Sequence, residues 1–372
     1  MRVVSVEMRD FRTYARADAR LGEGLTVVHG PNGAGKSNLL EALYFGCTGR
    51  SPRTRNEREL IAFGAKTTRV VVGLLDDGDP HELTVGYGTI DGSPQQVKRM
   101  TSDGAAVERL LDIPNRPLVS VFMPERLELV KGPPAVRRAH LDQFVSAVWP
   151  LRAQARREYS QALAQRNALL GRIRSGRASQ ATLPSWDREL AGKALVVRDH
   201  RAEAVGLLSD LFAQHAHALG LTGQAMLEYR PRSRAGDEEQ FIAELQERLA
   251  GDLERGFSGH GPHRDELAIL RDGHELRVYG SQGEQRISLL ALLLAERGVL
   301  SRERGRTPLM LLDDVMSELD GDRREMLSRE LSVGGQSVIA TTDLAHVPGA
   351  SDSGVARLRI SPGAILQEAI AA

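Results

Sequence analysis

The residues best equipped for chemistry are Gly30-Pro31-Asn32-Gly33-Ala34-Gly35-Lys36-Ser37. The stretch fits G-x-x-x-x-G-K-[ST], the phosphate loop of nucleotide-binding proteins. Its glycines let the backbone curl so that successive N–H groups face one anion. Lys36 adds a point charge suited to the β- and γ-phosphates of ATP, and the Ser37 hydroxyl can hold Mg²⁺. Lysine is scarce in this arginine-rich chain, so Lys36 stands out. A second group is Asp313-Asp314, which follows the apolar run Leu309–Leu312. Beside a phosphate loop, one carboxylate can serve Mg²⁺ while its neighbour orients and deprotonates the attacking water. A third is Ser281-Gln282-Gly283-Glu284-Gln285-Arg286. Ser281 and Glu284 make a capping box. Gln282, Gly283 and Gln285 are not explained by capping, and a glycine at a helix N-terminus also lets backbone approach an anion.

These groups need elements to hold them. Leu25–His29 is apolar and β-branched, as a buried strand requires, and Asn38–Phe45 has helical character that Gly46 and Gly49 can end. Strand, glycine loop and helix together put bound phosphate on a helix N-terminus. The N-terminal part alternates short strands: Val3–Met8, Ala17–Leu21, then Thr67–Leu75 and Glu82–Tyr87 joined by Asp76-Asp77-Gly78-Asp79-Pro80, Gln95–Thr101, and Leu118–Met123 before Pro124. From Ala135 to about Leu221 apolar residues recur at three- and four-residue steps. Tyr159, Leu163, Arg166 and Leu170 form one such series, and Val197, Arg201, Val205 and Leu208 another. The segment between them reads as a loop, giving a helical hairpin with arms of about 30 residues, or roughly 45 Å at 1.5 Å per residue. Asp237–Leu253 is a further helix. Strands return at Leu267–Leu270 and Leu276–Val278 around Asp272-Gly273, then Leu309–Leu312, Ser337–Ala340 and Val355–Ile360. Helices begin near Ser281 and Asp320.

A chain of 372 residues suits two domains, or one with a large insertion. The expected division is an N-terminal part of an ATPase head at 1–134, a helical lobe at 135–255, and a C-terminal part of the head at 256–372. No apolar run reaches a membrane span, and the lone Cys47 allows no internal disulfide, so a cytoplasmic protein is expected. Net charge is zero, so any nucleic-acid surface must be local. Arg152, Arg156, Arg157, Arg166, Arg172, Arg174 and Arg177 offer a basic side of the hairpin, either a solvated face or a contact for DNA phosphates. Arg69, Lys98 and Arg99 on the N-terminal strands are alternatives. His215 and His217 cannot share one helix face, so zinc is not expected.

The motifs and their order resemble ABC-type ATPases, and within them the RecF family. The resemblance covers Leu25–Asn38, Leu129-Val130-Lys131-Gly132 with Arg137-Arg138, Gly261–Leu267, Tyr279–Gly283, Leu311–Asp320 and Thr341-Thr342-Asp343. It implies an α/β fold, an ABC-type P-loop ATPase head with an antiparallel strand-rich edge and an inserted helical lobe. Gly30, Pro31, Asn32, Gly33, Ala34, Gly35, Lys36, Ser37 and Asn38 would bind ATP, with Arg12 nearby and Ser37 and Asp313 at Mg²⁺. Lys36 and Asp314 would carry catalysis. Ser281, Gln282 and Gly283 would meet the γ-phosphate held by a second subunit, with Asp320 at the same interface and Thr341-Thr342-Asp343 at the switch position. The implied function is slow, DNA-dependent ATP hydrolysis by an ATP-induced homodimer on gapped, duplex or junction DNA, assisting RecA loading with RecO and RecR. Glu284 stands where the family has Gln, and Arg126 where it has Asp. A transporter ATPase subunit or an SMC-like structural ATPase are the other readings. The first is disfavoured by Thr341-Thr342-Asp343 and the second by the short hairpin. A nucleotide kinase would have no need of Ser281-Gln282-Gly283.

Overall fold

The computed structural model describes residues 1–89, 96–110, 113, 116–332 and 334–368. In chain order the strands and helices are β1 (Arg2–Phe11), β2 (Tyr14–Arg20), β3 (Leu25–His29), α1 (Lys36–Thr48), β4 (Thr67–Asp76), β5 (Asp79–Thr89), β6 (Gln96–Ser102), β7 (Ala105–Ala106), β8 (Val119–Phe122), α2 (Glu128–Lys131), α3 (Pro134–Val148), α4 (Ala153–Arg174), α5 (Leu183–Ala218), β9 (Ala225–Arg230), α6 (Glu238–Glu247), α7 (Leu249–Arg255), β10 (Glu266–Arg271), β11 (His274–Glu275), α8 (Leu276–Tyr279), α9 (Gln282–Arg304), β12 (Leu309–Asp313), α10 (Gly321–Ser332), β13 (Ser337–Thr341), β14 (Ala356–Ser361) and β15 (Ala364–Glu368). Gln95, expected to open β6, lies outside the described residues. The chain divides into two compact units. One is Met1–Leu127 with Ala218–Gly220 and Leu300–Ala372, and the other is Glu128–His217 with Leu221–Val299.

The first unit holds two sheets. An antiparallel sheet runs β2-β1-β4-β5-β6-β7, and a second runs β15-β14-β3-β13-β12-β8. In the second, β14, β3, β13, β12 and β8 are parallel, and β15 is antiparallel at the edge. Helix α1 packs on strands of both sheets. Its Leu39, Leu43 and Phe45 share one core with Val70, Val72 and Val85 and with Val28, Leu311 and Ala340. Gly46 does not end α1, contrary to the sequence expectation. A Cβ there would lie 2.3 Å from Val72 Cγ2, so glycine permits the close approach to β4. The helix ends instead at Thr48, with Gly49 left-handed at φ 70°. The expected five-residue turn after β4 is shorter too. Asp77-Gly78 alone turns the hairpin with φ of 50° and 98°, so Pro80 enters β5 opposite Leu75.

The second unit is mainly helical. The arms α4 and α5 have 22 and 36 residues, unequal where equal lengths were expected. The stretch expected as one helix from Asp237 breaks at Arg248 into α6 and α7. Leu276–Val278, expected as a strand, lies in the helical turn α8; β10 finds its long partner in β9 instead. That pairing, with the packing of α3 on β10, groups residues 256–299 with the helices, where the sequence reading ended the lobe at 255.

Two arginines in the helical series are internal. Arg166 is fully buried and donates to Asp187 Oδ1 (2.7 Å), Asp252 Oδ2 (3.0 Å) and Ser258 Oγ (2.6 Å). Arg201 donates to both oxygens of Asp142 (2.8 and 3.1 Å), to Pro262 O (2.6 Å) and to Asp265 Oδ2 (3.1 Å). Arg166 therefore leaves the basic face to which the sequence reading assigned it, because its spacing with Tyr159 and Leu170 turns it inward. Arg166→Ala strips the buried Asp187 of its counter-charge and leaves Asp252 only the part-exposed Arg255, and is expected to cost about 3–5 kcal/mol. A urea titration of the full chain, followed by helical circular dichroism, checks this.

Candidate nucleotide site

The phosphate loop connects β3 to α1. Gly30 and Gly35 have φ of 153° and 119°. A Cβ at Gly30 would lie 2.3 Å from Ile360 O, and one at Gly35 2.7 Å from the Tyr14 hydroxyl, so both positions need glycine. The Tyr14 hydroxyl donates to Gly35 O at 3.0 Å and fixes the end of the loop. Asn38 and Leu39 donate back to Gly35 O. By contrast, the N–H groups of Gly33, Gly35, Lys36 and Ser37 donate to no protein acceptor among the described residues. Donors of this kind at a helix N-terminus are the equipment for an anion.

Lys36 is buried, and its Nζ donates to Gly30 O (2.8 Å) and Pro31 O (3.1 Å). Burial pushes its pKa down, while Asp314 and Asp313 act in the opposite direction. Asp313 ends β12, and β12 lies beside β13, which in turn pairs with β3. This strand order brings the Asp-Asp pair to the loop. Burial raises the Asp313 pKa, and a hydrogen bond from the Ser37 hydroxyl counters the rise. Asp314 is left-handed at φ 51°, a strained setting that aspartate tolerates better than most residues. Its N–H donates to Ala340 O at 3.0 Å, while its Oδ1 is buried without a partner. The Ser37 hydroxyl and the Asp313 carboxylate, already joined by a hydrogen bond, are an oxygen donor pair that fits Mg²⁺, and the orphaned oxygen of Asp314 is left for water.

Arg12 reaches α1 through Glu41. Its Nε and Nη2 donate to the two carboxylate oxygens at 2.9 and 2.8 Å. Glu41 is fully buried and also accepts from Ser51 Oγ (2.5 Å) and Arg53 Nη1 (3.3 Å). Arg53 donates further to Asn38 Oδ1 (3.1 Å) and Glu125 Oε1 (3.1 Å), and Asn38 donates to Thr13 Oγ1 (2.9 Å). This network joins the Phe11–Tyr14 turn, the loop helix and the Pro124-Glu125-Arg126 segment. Glu41, Ser51 and Arg53 were missed in the sequence. The available signal was a carboxylate on the inner side of an otherwise apolar helix. On the switch segment, Thr341 Oγ1 donates to Asp343 O at 3.0 Å and Asp343 caps the turn that follows.

The Ser281 stretch belongs to the helical unit. Glu284 N donates to Ser281 Oγ (3.3 Å) and Ser281 N to Glu284 Oε2 (2.8 Å), which is the capping box expected. Glu284 also pairs with Arg271, so its charge is turned to its own unit. Gln285 donates to Leu276 O (2.9 Å) and Gly280 O (3.2 Å), a structural task. Gln282 and Gly283 are exposed, and a Cβ at Gly283 would meet nothing within 4 Å. Asp320 Oδ1 accepts from Arg323 N at 3.0 Å and caps α10. The Gly261–Leu267 motif is an internal hub. Arg137 grips Glu266 at 2.8 Å on both oxygens, Arg138 donates to Asp265 O (2.7 Å), and Tyr229 bonds Asp265. His263 donates from Nε2 to Ser258 O (2.9 Å) and accepts from Tyr159 at Nδ1 (2.7 Å). Burial lowers its pKa in keeping with that neutral tautomer.

The parallel sheet, phosphate loop, paired strand-end aspartates and antiparallel flank define an ABC-type P-loop ATPase head. Residues 5–103 match the AAA domain family. The chain is 34% identical over 352 residues to the DNA replication and repair protein RecF of Heliobacterium modesticaldum, covering 93% of each. It is 36% identical over 363 residues to that of Myxococcus xanthus, covering 94% and 93%. The solved structure of the recombination mediator protein RecF-ATP in the RecFOR pathway is 27% identical, with a TM-score of 0.85 over 99% of this chain and 98% of that one. An SMC head bound to the C-winged helix domain of ScpA shares the fold, at 16% identity and a TM-score of 0.61. The chain belongs to the RecF family, ATP-binding proteins of DNA replication and repair. Among the described residues no helix is long and apolar enough to cross a membrane.

Proposed function

We propose that this chain binds gapped or junction DNA as an ATP-induced homodimer, hydrolyses ATP slowly, and uses hydrolysis for release. The observation carrying this reading is the set of undonated N–H groups around Lys36, with the orphaned carboxylate oxygen of Asp314 beside them. In this reading the loop of residues 30–38 holds the phosphates through the free N–H groups of Gly33, Gly35, Lys36 and Ser37, and Lys36 exchanges the carbonyls of Gly30 and Pro31 for phosphate oxygens. Ser37 and Asp313 hold Mg²⁺, which when bound neutralises charge on the phosphoryl group. Asp314 orients water and takes its proton. Arg12 acts through Glu41 on the loop helix. Gln282 and Gly283, exposed at the start of α9, face the nucleotide of a second subunit. The protein works in the cytoplasm, with RecO and RecR, to assist RecA loading.

Binding of gapped, duplex and single-stranded DNA, with and without ATP, tests this reading when sedimentation is run beside it. ATP is expected to raise gapped-DNA affinity and the dimer fraction together. Binding indifferent to ATP would overturn it. The hairpin makes a narrower prediction. Arg152 stacks on Trp149 and pairs with Glu203, and Arg156 pairs with Asp142 at 2.7 Å. Replacing Arg152, Arg156 and Arg157 together by Ala is therefore expected to change the salt dependence of DNA binding by about one phosphate contact at most, a slope change of about 0.9.

A further inference from the structure

The antiparallel sheet carries a line of charge that the nucleotide site does not use. Its pleat turns Met8, Val70, Val85 and Met100 toward the core in one register row. The next residue on each strand points the other way, and there the register places Arg16, Arg9, Arg69, Gly86 and Arg99 side by side. All four arginines are exposed. None of their side chains makes a hydrogen bond or an ion pair among the described residues. Arg16, Arg9 and Arg69 are directly opposite one another, an arrangement that destabilises a sheet left to itself.

Gly86 is the second observation. It sits inside β5, where glycine weakens a strand and often marks the close approach of a ligand or another backbone. The fold does not demand it. Its φ is outside the left-handed region, and a Cβ would meet only Thr68 O, at an ordinary 3.8 Å. The row thus has a gap at main-chain level between Arg69 and Arg99.

We infer that this row is a seat for the phosphate backbone of duplex DNA, with one strand's phosphates lying over Gly86 between Arg69 and Arg99. The inference rests on the DNA-binding reading above and gives it a surface. Four strand steps make the row about 19 Å long. Against a helical repeat of about 34–36 Å this is roughly half a turn of a stiff rod. Single strands are held by aromatic platforms, and the row has none; the adjacent row offers Val71, Thr84 and Thr101. A protein partner would need an apolar anchor, which is also missing. Glu7 and Asp18 face each other one row away on β1 and β2. Their charge weakens that end, so the seat centres on Arg9, Arg69 and Arg99.

The test uses the full chain with ATP and a fluorescent duplex of about three helical turns, with a single strand of equal length alongside. Arg9→Ala, Arg69→Ala and Arg99→Ala are combined. The slope of log affinity against log salt is expected to fall by about 2.7, three contacts at about 0.9 each. Duplex affinity is expected to fall by more than single-strand affinity. The unfolding midpoint should hold or rise, because like charges have been removed, whereas a structural role would lower it. Gly86→Glu, which the space allows, should weaken duplex binding without unfolding the sheet. Wild type that binds duplex beside a triple variant of unchanged slope overturns the seat and leaves the DNA reading intact. Equal loss on duplex and single strand overturns the duplex assignment. Wild type that binds no DNA with ATP defeats the DNA reading itself, and the seat with it.

Discussion

Asp314→Asn is expected to leave ATP bound and to lower turnover by at least about 100-fold, the smaller end of what a general base supplies. The substitution is conservative where it matters. Asparagine tolerates the left-handed conformation that Asp314 adopts at φ 51°, and the bond from its N–H to Ala340 O is untouched. What changes is the side-chain oxygen now buried without a partner. An amide in its place can still orient water but cannot take a proton. Nucleotide binding by equilibrium dialysis and phosphate release by single turnover separate the two effects. Lys36→Ala should show the opposite split. It removes the cation from the loop while the aspartates stay, so affinity falls first. Phosphate release by Asp314→Asn at the wild-type rate would assign the base elsewhere.

The site was legible in the sequence to the extent that its chemistry is local. Gly30 to Ser37 declare themselves because a phosphate loop needs those types at that spacing, whatever surrounds them. The Asp313-Asp314 pair was readable once an apolar strand was seen to end there. The networks that brace the site were not legible, because they are made by residues far apart in the chain. Glu41 meets Arg12 29 positions away, and Arg53 meets Glu125 72 positions away. Gly46 was misread as a helix end for the same reason: the atom that requires glycine belongs to Val72. Helical periodicity, by contrast, contained more than was first taken from it. Arg166 and Arg201 fell on the apolar series, and the structure buries both with their carboxylates. The arginine row across the antiparallel sheet needs strand register to be seen at all. Arg16, Arg9, Arg69 and Arg99 have no common spacing along the chain.

Ser281→Arg is expected to hold the protein monomeric with a non-hydrolysable ATP analogue, where the wild type dimerises. In the proposed dimer each ATP is shared between one subunit's phosphate loop and the other's Ser281-Gln282-Gly283. Nucleotide contact is then completed only by association, so ATP favours the dimer by linkage, and DNA that prefers the dimer tightens ATP in return. The stretch fits this task because its own fold leaves it unoccupied. Glu284 is spent on the Ser281 N–H and Arg271, Gln285 on two carbonyls, and Gln282 and Gly283 on nothing. An arginine at 281 puts a bulky cation where close approach is required. It also loses the cap on Glu284 N, at about 1 kcal/mol. Ser281→Ala removes the hydroxyl, and with it the cap, without adding bulk or charge; it should lower stability by a similar amount and weaken ATP-dependent dimerisation without abolishing it. Helix α9 should survive in both, since Leu289, Leu290, Leu292 and Leu293 are buried along it. ATP binding by the isolated subunit should survive too, whereas ATP-stimulated DNA binding and hydrolysis should fall together. Sedimentation with the analogue decides the matter: an arginine variant that dimerises as the wild type does leaves Ser281 a helix cap and nothing more.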